Sequence, residues 1–295
     1  MKITPRLKAV FPFEGKVHNL SSGHKMHYLD EGNDQSGIPT VFLHGNPTWS
    51  FFYRHFLLNW RQKMRCIAPD HLGCGLSEKP SLKDFPYTLE THAKNVRELV
   101  DHLKISEFNL VVHDWGGAIG FTAFRDCTHR IKKITLLNTA AFPSTDVPKR
   151  IRLCRAPMLG QFLVRALNGF ALPATWMASS KGLSKDVKYG LLYPYNCWKN
   201  RLAVWRFVKD IPLEPDHPSK EVLEQTANSL KNYIETPAIA CWGLDDFCFH
   251  EGFLQEWEKH WPHLQSHRLQ GTGHYLLEDN FEDCSSVIEP FLFPN

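Results

Sequence analysis

One aspartate stands where the chain changes period. Asn109-Leu110-Val111-Val112-His113 is an apolar run, Asp114 ends it, and Trp115-Gly116-Gly117-Ala118-Ile119-Gly120 continues with small residues at helical spacing. Such a break predicts a buried strand, a sharp turn and a helix start, with Asp114 held at the strand's carboxyl end beside helix-opening amides. Open parallel sheets carry their chemistry at that edge. A free aspartate has a pKa of about 3.9, so it is ionised at neutral pH and attacks without help from a base. Attack on saturated carbon leaves an ester, whose carbonyl water can cleave, whereas a serine in the same place would be trapped as an ether. The competing reading is a plain helix N-cap, a role aspartates often fill.

Two further groups complete a reaction centre. Gly243-Leu244-Asp245-Asp246 follows one apolar run and Gly271-Thr272-Gly273-His274 follows another. A histidine at that place would activate water against an ester on Asp114, while a carboxylate at its other nitrogen fixes the tautomer and stabilises the imidazolium. The chain has 16 histidines, so His274 is singled out by its position behind Gly271 and Gly273 after the last strand, not by its type.

The elements that must position these groups alternate. Val17–Leu20 and Lys25–Glu31 predict an antiparallel hairpin, Pro39–Leu43 and Arg65–Asp70 two strands, and Leu89–Leu103 a helix with Val96, Leu99, Val100 and Leu103 on one face. Further strands are expected at Ile134–Asn138, Ala238–Gly243 and Ser266–Gln270. The βαβ order implies an α/β fold with a largely parallel sheet and helices on both faces. From residue 142 to 237 no core strand is legible, only aromatic-rich helical stretches broken by Pro157, Pro173, Pro194 and Pro212. The expected organisation is a core domain of residues 1–141 and 238–295 with a helical cap of residues 142–237 inserted over the strand ends, where a lid excludes water and shapes a pocket.

Composition sets outer bounds. The chain has 295 residues, 43% hydrophobic and 22% charged, which is ordinary globular composition. A net charge of +3 gives no case for nucleic acid. No apolar run reaches a membrane span, and Met1–Lys8 lacks the apolar core of a signal peptide. The eight cysteines form no metal-spaced pair, and Cys66 and Cys241 fall inside buried strands, so a reduced, cytoplasmic protein without metal is expected.

With these residues in view, the chain resembles the haloalkane dehalogenases of the α/β-hydrolase superfamily over nearly its whole length, least in residues 142–237. The resemblance is carried by His44-Gly45-Asn46-Pro47-Thr48, Asp70-His71-Leu72-Gly73-Cys74-Gly75-Leu76-Ser77, His113-Asp114-Trp115-Gly116-Gly117, Gly243-Leu244-Asp245-Asp246 and Gly273-His274. It implies the α/β-hydrolase fold with a cap, Asp114 as nucleophile, His274 as base and Asp246 as acid, with Asp245 the less favoured neighbour. It further implies that Asn46 and Trp115 hold the departing halide through their side chains, N–H donors that do not attack carbon, and form an oxyanion hole through their backbone N–H groups. Some members take the acid from the strand end that here reads Leu136-Leu137-Asn138, and asparagine cannot serve as one. That choice, with Asn46–Arg54, looks most like the third subfamily, which is very similar to enzymes that open and decarboxylate β-lactones in olefin synthesis.

The leading expectation is therefore hydrolytic dehalogenation of a haloalkane to alcohol and halide, without cofactor. The alternative is β-lactone decarboxylation at the same residues. Epoxide hydrolysis stays open because Tyr189, Tyr193 and Tyr195 are available as lid proton donors, and a binding protein on a hydrolase fold is the reading from a different class. The run Lys149–Arg155 is expected to be a solvated face or an oligomer contact, with recognition of a long, negatively charged substrate or product as the sharper option. The basic, aromatic lid also admits self-association.

Overall fold

In the computed structural model, which describes residues 3–32 and 37–293, eight strands form one sheet. They are β1 (Lys16–Asn19), β2 (Lys25–Glu31), β3 (Thr40–Leu43), β4 (Cys66–Pro69), β5 (Phe108–Asp114), β6 (Ile131–Thr139), β7 (Ala238–Gly243) and β8 (Gln265–Leu269). Their order across the sheet is β1-β2-β4-β3-β5-β6-β7-β8. β2 pairs antiparallel with β1 and β4, and every other pairing is parallel. Residues 1–2 and 294–295, the extreme ends of the expected core ranges, lie outside the described residues.

The central strands read as unbroken apolar runs because both of their faces are covered. Leu110 and Val112 of β5 point into one core with Val41, Leu136 and Ala240, while Val111 points into the other with Phe42, Leu137 and Cys241. Alternate residues thus serve opposite layers, as strand geometry requires. The helix Leu89–His102 buries Val96, Leu99 and Val100 as expected. It begins at a reciprocal cap in which the Thr88 backbone N–H donates to Thr91 Oγ1 at 3.0 Å.

Between β6 and β7 the described residues form helices alone, among them Lys149–Arg155, Ala171–Met177, Lys185–Leu192, Leu202–Lys209 and Pro218–Ser229. Pro173 does not break its helix: it sits in the first turn of Ala171–Met177, where the missing N–H has no partner to lose. Ile151, Cys154, Val164, Ala171, Tyr195, Val204 and Val208 make a separate small core beneath these helices. Pro218–Ser229 packs elsewhere, against Leu89–His102 and the helix Trp115–Phe124 that follows β5. Its Leu223 joins the main core, and Thr226 Oγ1 lies 2.8 Å from Thr122 Oγ1. None of the eight cysteines is paired, and no helix among the described residues is long and apolar enough to cross a membrane.

Candidate active site

Asp114 ends β5 at φ 53° and ψ −125°, a backbone setting that is unfavourable for any residue with a side chain and that turns the carboxylate away from the sheet. It occupies the N-cap position of Trp115–Phe124, yet its side chain makes no capping bond to that helix's first turn. Instead Oδ1 accepts from the backbone N–H of Asn46 at 2.6 Å. The plain capping role is thus not what the side chain does. Close approach makes this possible: a Cβ on Gly45 would run into the Asp114 carboxylate, and one on Gly116 into the Leu43 carbonyl.

His274 reaches the site from the loop after β8. Its Nδ1 lies 2.7 Å from Asp246 Oδ2 and its Nε2 lies 3.7 Å from Asp114 Oδ2. Asp246 is buried and also accepts from the Cys248 N–H at 2.7 Å, whereas Asp245 faces solvent. Asn138, at the alternative acid position, bridges backbones: its Nδ2 donates to Gly243 O at 3.0 Å and its Oδ1 accepts from Gly243 N–H at 2.8 Å. It thereby fixes the start of the turn that delivers Asp246.

Charge follows burial here. Burial pushes the Asp114 carboxyl up to about 6, with His274 and the nearby backbone N–H groups of Asn46 and Trp115 opposing that rise. For His274 burial acts downward, but the Asp246 carboxylate outweighs it and the imidazole's pKa is raised. His113 is held well below its ordinary value by burial, so it stays neutral; its Nε2 donates to His274 O at 2.9 Å.

Three supports escaped the sequence reading. His113 is the first. Asp279 is the second: its carboxylate accepts from Ser179 Oγ at 2.5 Å, Ser180 N–H at 2.9 Å, Lys181 N–H at 3.0 Å and Gly273 N–H at 2.8 Å, joining the lid to the histidine loop. The buried pair Arg54–Glu278 is the third, a fork with contacts of 2.5 and 2.7 Å. No local motif marks their roles, because their partners lie 98 or more residues away in all but the Gly273 contact.

Above Asp114 opens a cavity of about 510 Å³ whose wall includes Asn46, Trp115 and His274 and is otherwise mostly apolar. Asn46 Nδ2 donates to Val204 O at 3.2 Å, while its Oδ1 is buried without a partner. The Trp115 ring packs 5.4 Å from Phe207, and among the described residues its indole N–H makes no hydrogen bond. Both residues line the cavity with Asp114, and both side chains keep an N–H that no acceptor among the described residues takes up. None of the three lid tyrosines lines the cavity: Tyr195 OH donates to Thr48 O at 3.1 Å, Tyr189 OH lies 2.9 Å from Thr4 Oγ1, and Tyr193 packs on Tyr189. The basic run divides. Arg155 pairs with Glu214 at 2.6 Å and Arg152 donates to Thr145 O and Val147 O, while Arg150 lines the cavity with its guanidinium 4.0 Å from the Phe247 ring.

Comparison with known proteins adds to this geometry. The family model for the alpha/beta hydrolase fold matches residues 39–281. The chain is 40% identical to a cis-3-alkyl-4-alkyloxetan-2-one decarboxylase of Shewanella oneidensis, over 97% of this chain and 90% of that one. It is 39% identical to a haloalkane dehalogenase of Mycolicibacterium paratuberculosis, over 90% of this chain and 86% of that one. The haloalkane dehalogenase DbeA from Bradyrhizobium elkani superposes with a TM-score of 0.83 at 23% identity, covering 95% of this chain and 98% of that one.

Proposed function

The chain belongs to the α/β-hydrolase fold family, and from that premise we propose that it is a β-lactone decarboxylase acting on apolar cis-dialkyl β-lactones (oxetan-2-ones) with Asp114 as nucleophile. One carboxylate oxygen, Oδ1, is already engaged by the Asn46 N–H, so Oδ2 is the attacking atom. Oδ2 bonds to the saturated, alkyl-bearing ring carbon next to the ring oxygen, that carbon–oxygen bond breaks, and its electron pair leaves as a carboxylate. The bond to that carboxylate then breaks. Its electrons form the carbon–carbon double bond, and the Asp114–carbon bond returns its pair to Oδ2. The products are an alkene and carbon dioxide, with no water consumed. The side-chain N–H groups of Asn46 and Trp115 would receive the developing carboxylate, and the imidazolium of His274 would balance its charge.

The observation that carries this reading is the cavity. A space of about 510 Å³, apolar nearly throughout, suits a ligand with long alkyl chains far better than a halocarbon of a few atoms. The name of the 40% identical relative supports the same class. Dehalogenation remains the second reading, favoured by the two free donors that line the cavity with Asp114, which would suit a halide equally. Under it, His274 delivers water to the ester on Asp114, with the negative charge growing on Oδ1 against the Asn46 N–H. The cap formed by residues 142–237 would close either reaction from solvent.

The two are separated by turnover in ¹⁸O-water. A synthetic cis-dialkyl β-lactone is expected to give alkene and carbon dioxide and leave no ¹⁸O in Asp114. A bromoalkane, under the second reading, gives alcohol and bromide and labels the Asp114 carboxylate. Lactone turnover surviving in Asp114→Ala would overturn the proposal.

A further inference from the structure

The lid is unusually rich in exposed apolar side chains. Leu153, Leu167 and Met177 line the cavity and yet are 50%, 58% and 38% exposed, so the cavity opens among them. Beside this mouth, on the turn after the helix Lys149–Arg155, Met158, Leu159 and Phe162 are 84%, 49% and 54% exposed. Gly160 packs directly on the Cys154 carbonyl, which places that turn against the helix that carries Leu153. Exposed apolar side chains thus stand both on the cavity wall and on the adjoining turn at the outside of the molecule. Exposed apolar surface gathered in this way marks a docking site.

The charge around it is one-sided. Residues 149–188 hold eight Lys and Arg against the single acid Asp186, and six of the eight are not buried, although the whole chain carries only +3; the exposed Asp146 on the cavity wall lies 2.7 Å from His250. Asp186 is itself bound by Arg6, and Lys149, Arg150 and Arg152 are exposed on the helix that carries Leu153. Apolar side chains flanked by cations form the pattern by which a protein lies on an anionic bilayer, the apolar residues entering the headgroup boundary and the cations meeting lipid phosphates.

We propose that the lid face bearing Met158, Leu159 and Phe162 docks on an anionic phospholipid surface, with the cavity mouth turned to the bilayer so that apolar molecules pass from lipid into the pocket without crossing water. The delivery part rests on the reading of the pocket as a site for long-chain substrates; the docking does not. A long-chain β-lactone partitions into lipid, so a mouth facing water would meet little of it.

The test is co-sedimentation of the full chain with vesicles of phosphatidylcholine alone or with 30% phosphatidylglycerol. Binding to the mixed vesicles at low salt is expected, with at least a tenfold loss at 0.5 M NaCl and a similar loss in Met158→Ser/Leu159→Ser/Phe162→Ser. That variant should keep its activity on a short-chain, water-soluble lactone or bromoalkane and its far-UV circular dichroism. No sedimentation with either vesicle, or equal binding to neutral and anionic vesicles, overturns the proposal. So does concentration-dependent dimerisation that the triple variant abolishes without any vesicle binding, which would assign the face to a second copy. Vesicle binding by a chain inactive on every lactone and haloalkane would refute the proposed reaction while leaving the docking surface standing.

Discussion

His274 Nε2 and Asp114 Oδ2 lie 3.7 Å apart, too far for a hydrogen bond, while the other Asp114 oxygen is held at 2.6 Å by the Asn46 N–H. The carboxylate thus has one anchored oxygen and one free oxygen facing both the imidazole and the cavity. The two reactions use the imidazole differently. Hydrolysis needs it as a base toward water; decarboxylation needs only its charge. In His274→Gln, a bromoalkane should therefore stall as a covalent ester, visible as added mass on the intact protein, with steady turnover down by about 10³ or more. Lactone turnover should fall far less, by about tenfold to a hundredfold, as read by headspace carbon dioxide.

Acid sensitivity follows from Asp114. Its carboxyl is pushed up to about 6 from an unfolded value near 3.9, so the folded state holds this proton more tightly. The charged form therefore destabilises the fold as pH rises from about 4 to 6, by about 2–3 kcal/mol, and fully so above that window. Asp114→Asn should raise Tm by roughly 5 °C at pH 8 and leave it nearly unchanged at pH 4, by calorimetry. In the native protein kcat/KM for a lactone should fall tenfold per pH unit below about 6, because the nucleophile is then protonated.

Asp246 and Asp245 adjoin in sequence but not in environment. Asp246 accepts from the imidazole at 2.7 Å, and Asp245 faces solvent. Asp246→Asn leaves the imidazole without its anionic partner and allows the wrong tautomer, so hydrolysis of an accumulated ester should slow by about 10³–10⁴. Asp245→Asn should stay within twofold of the native rate. Stopped-flow decay of the ester in the two variants separates them.

Two buried contacts tie the histidine loop to the rest of the molecule. Arg54 forks onto Glu278, four residues beyond His274, and both side chains are buried. Removing one partner strands a buried charge, so Arg54→Met should cost about 3–5 kcal/mol by urea unfolding. Arg54→Met/Glu278→Met should recover most of that loss, because no lone charge remains.

The strands and the side chains of the candidate site were legible because they are local. An apolar run, a turn and small residues are contiguous around Asp114, and two glycines, Gly271 and Gly273, stand just before His274. Asp246 was separable from Asp245 only through the family's spacing, and its 2.7 Å contact with His274 is a feature of the fold. The supports were not legible. Asp279 looks like any acid at a helix end, and its bonds to Ser180 and Lys181 span 99 and 98 residues. Pro173 read as a breaker because residue type alone does not show that its N–H position falls in a first turn. The lid tyrosines were available by type, yet none lines the cavity, and the hydroxyls of Tyr189 and Tyr195 turn to Thr4 and Thr48. Lys149–Arg155 read as one charged face, but one turn of helix separates Arg155, buried against Glu214, from Arg150 on the cavity wall.

Substrate length is set by how much apolar wall remains beyond the reacting atoms. Each methylene buried in such a wall contributes about 0.8 kcal/mol, or roughly fourfold in affinity, until the cavity is full. For cis-dialkyl β-lactones of increasing chain length, kcat/KM should therefore climb by up to about fourfold per carbon and then level off. Ala174 lies on the helix Ala171–Met177 and lines the cavity, and it is only partly buried, so a larger side chain there has room to enter the void without displacing the main core. Ala174→Phe should move the plateau to chains several carbons shorter and raise KM for the longest lactones by about tenfold or more. The shortest should react at the native rate, since the Asp114–His274 spacing is untouched. An unchanged length profile in that variant would mean that the alkyl chains do not occupy this cavity, and the volume above Asp114 would then no longer argue for a long-chain substrate.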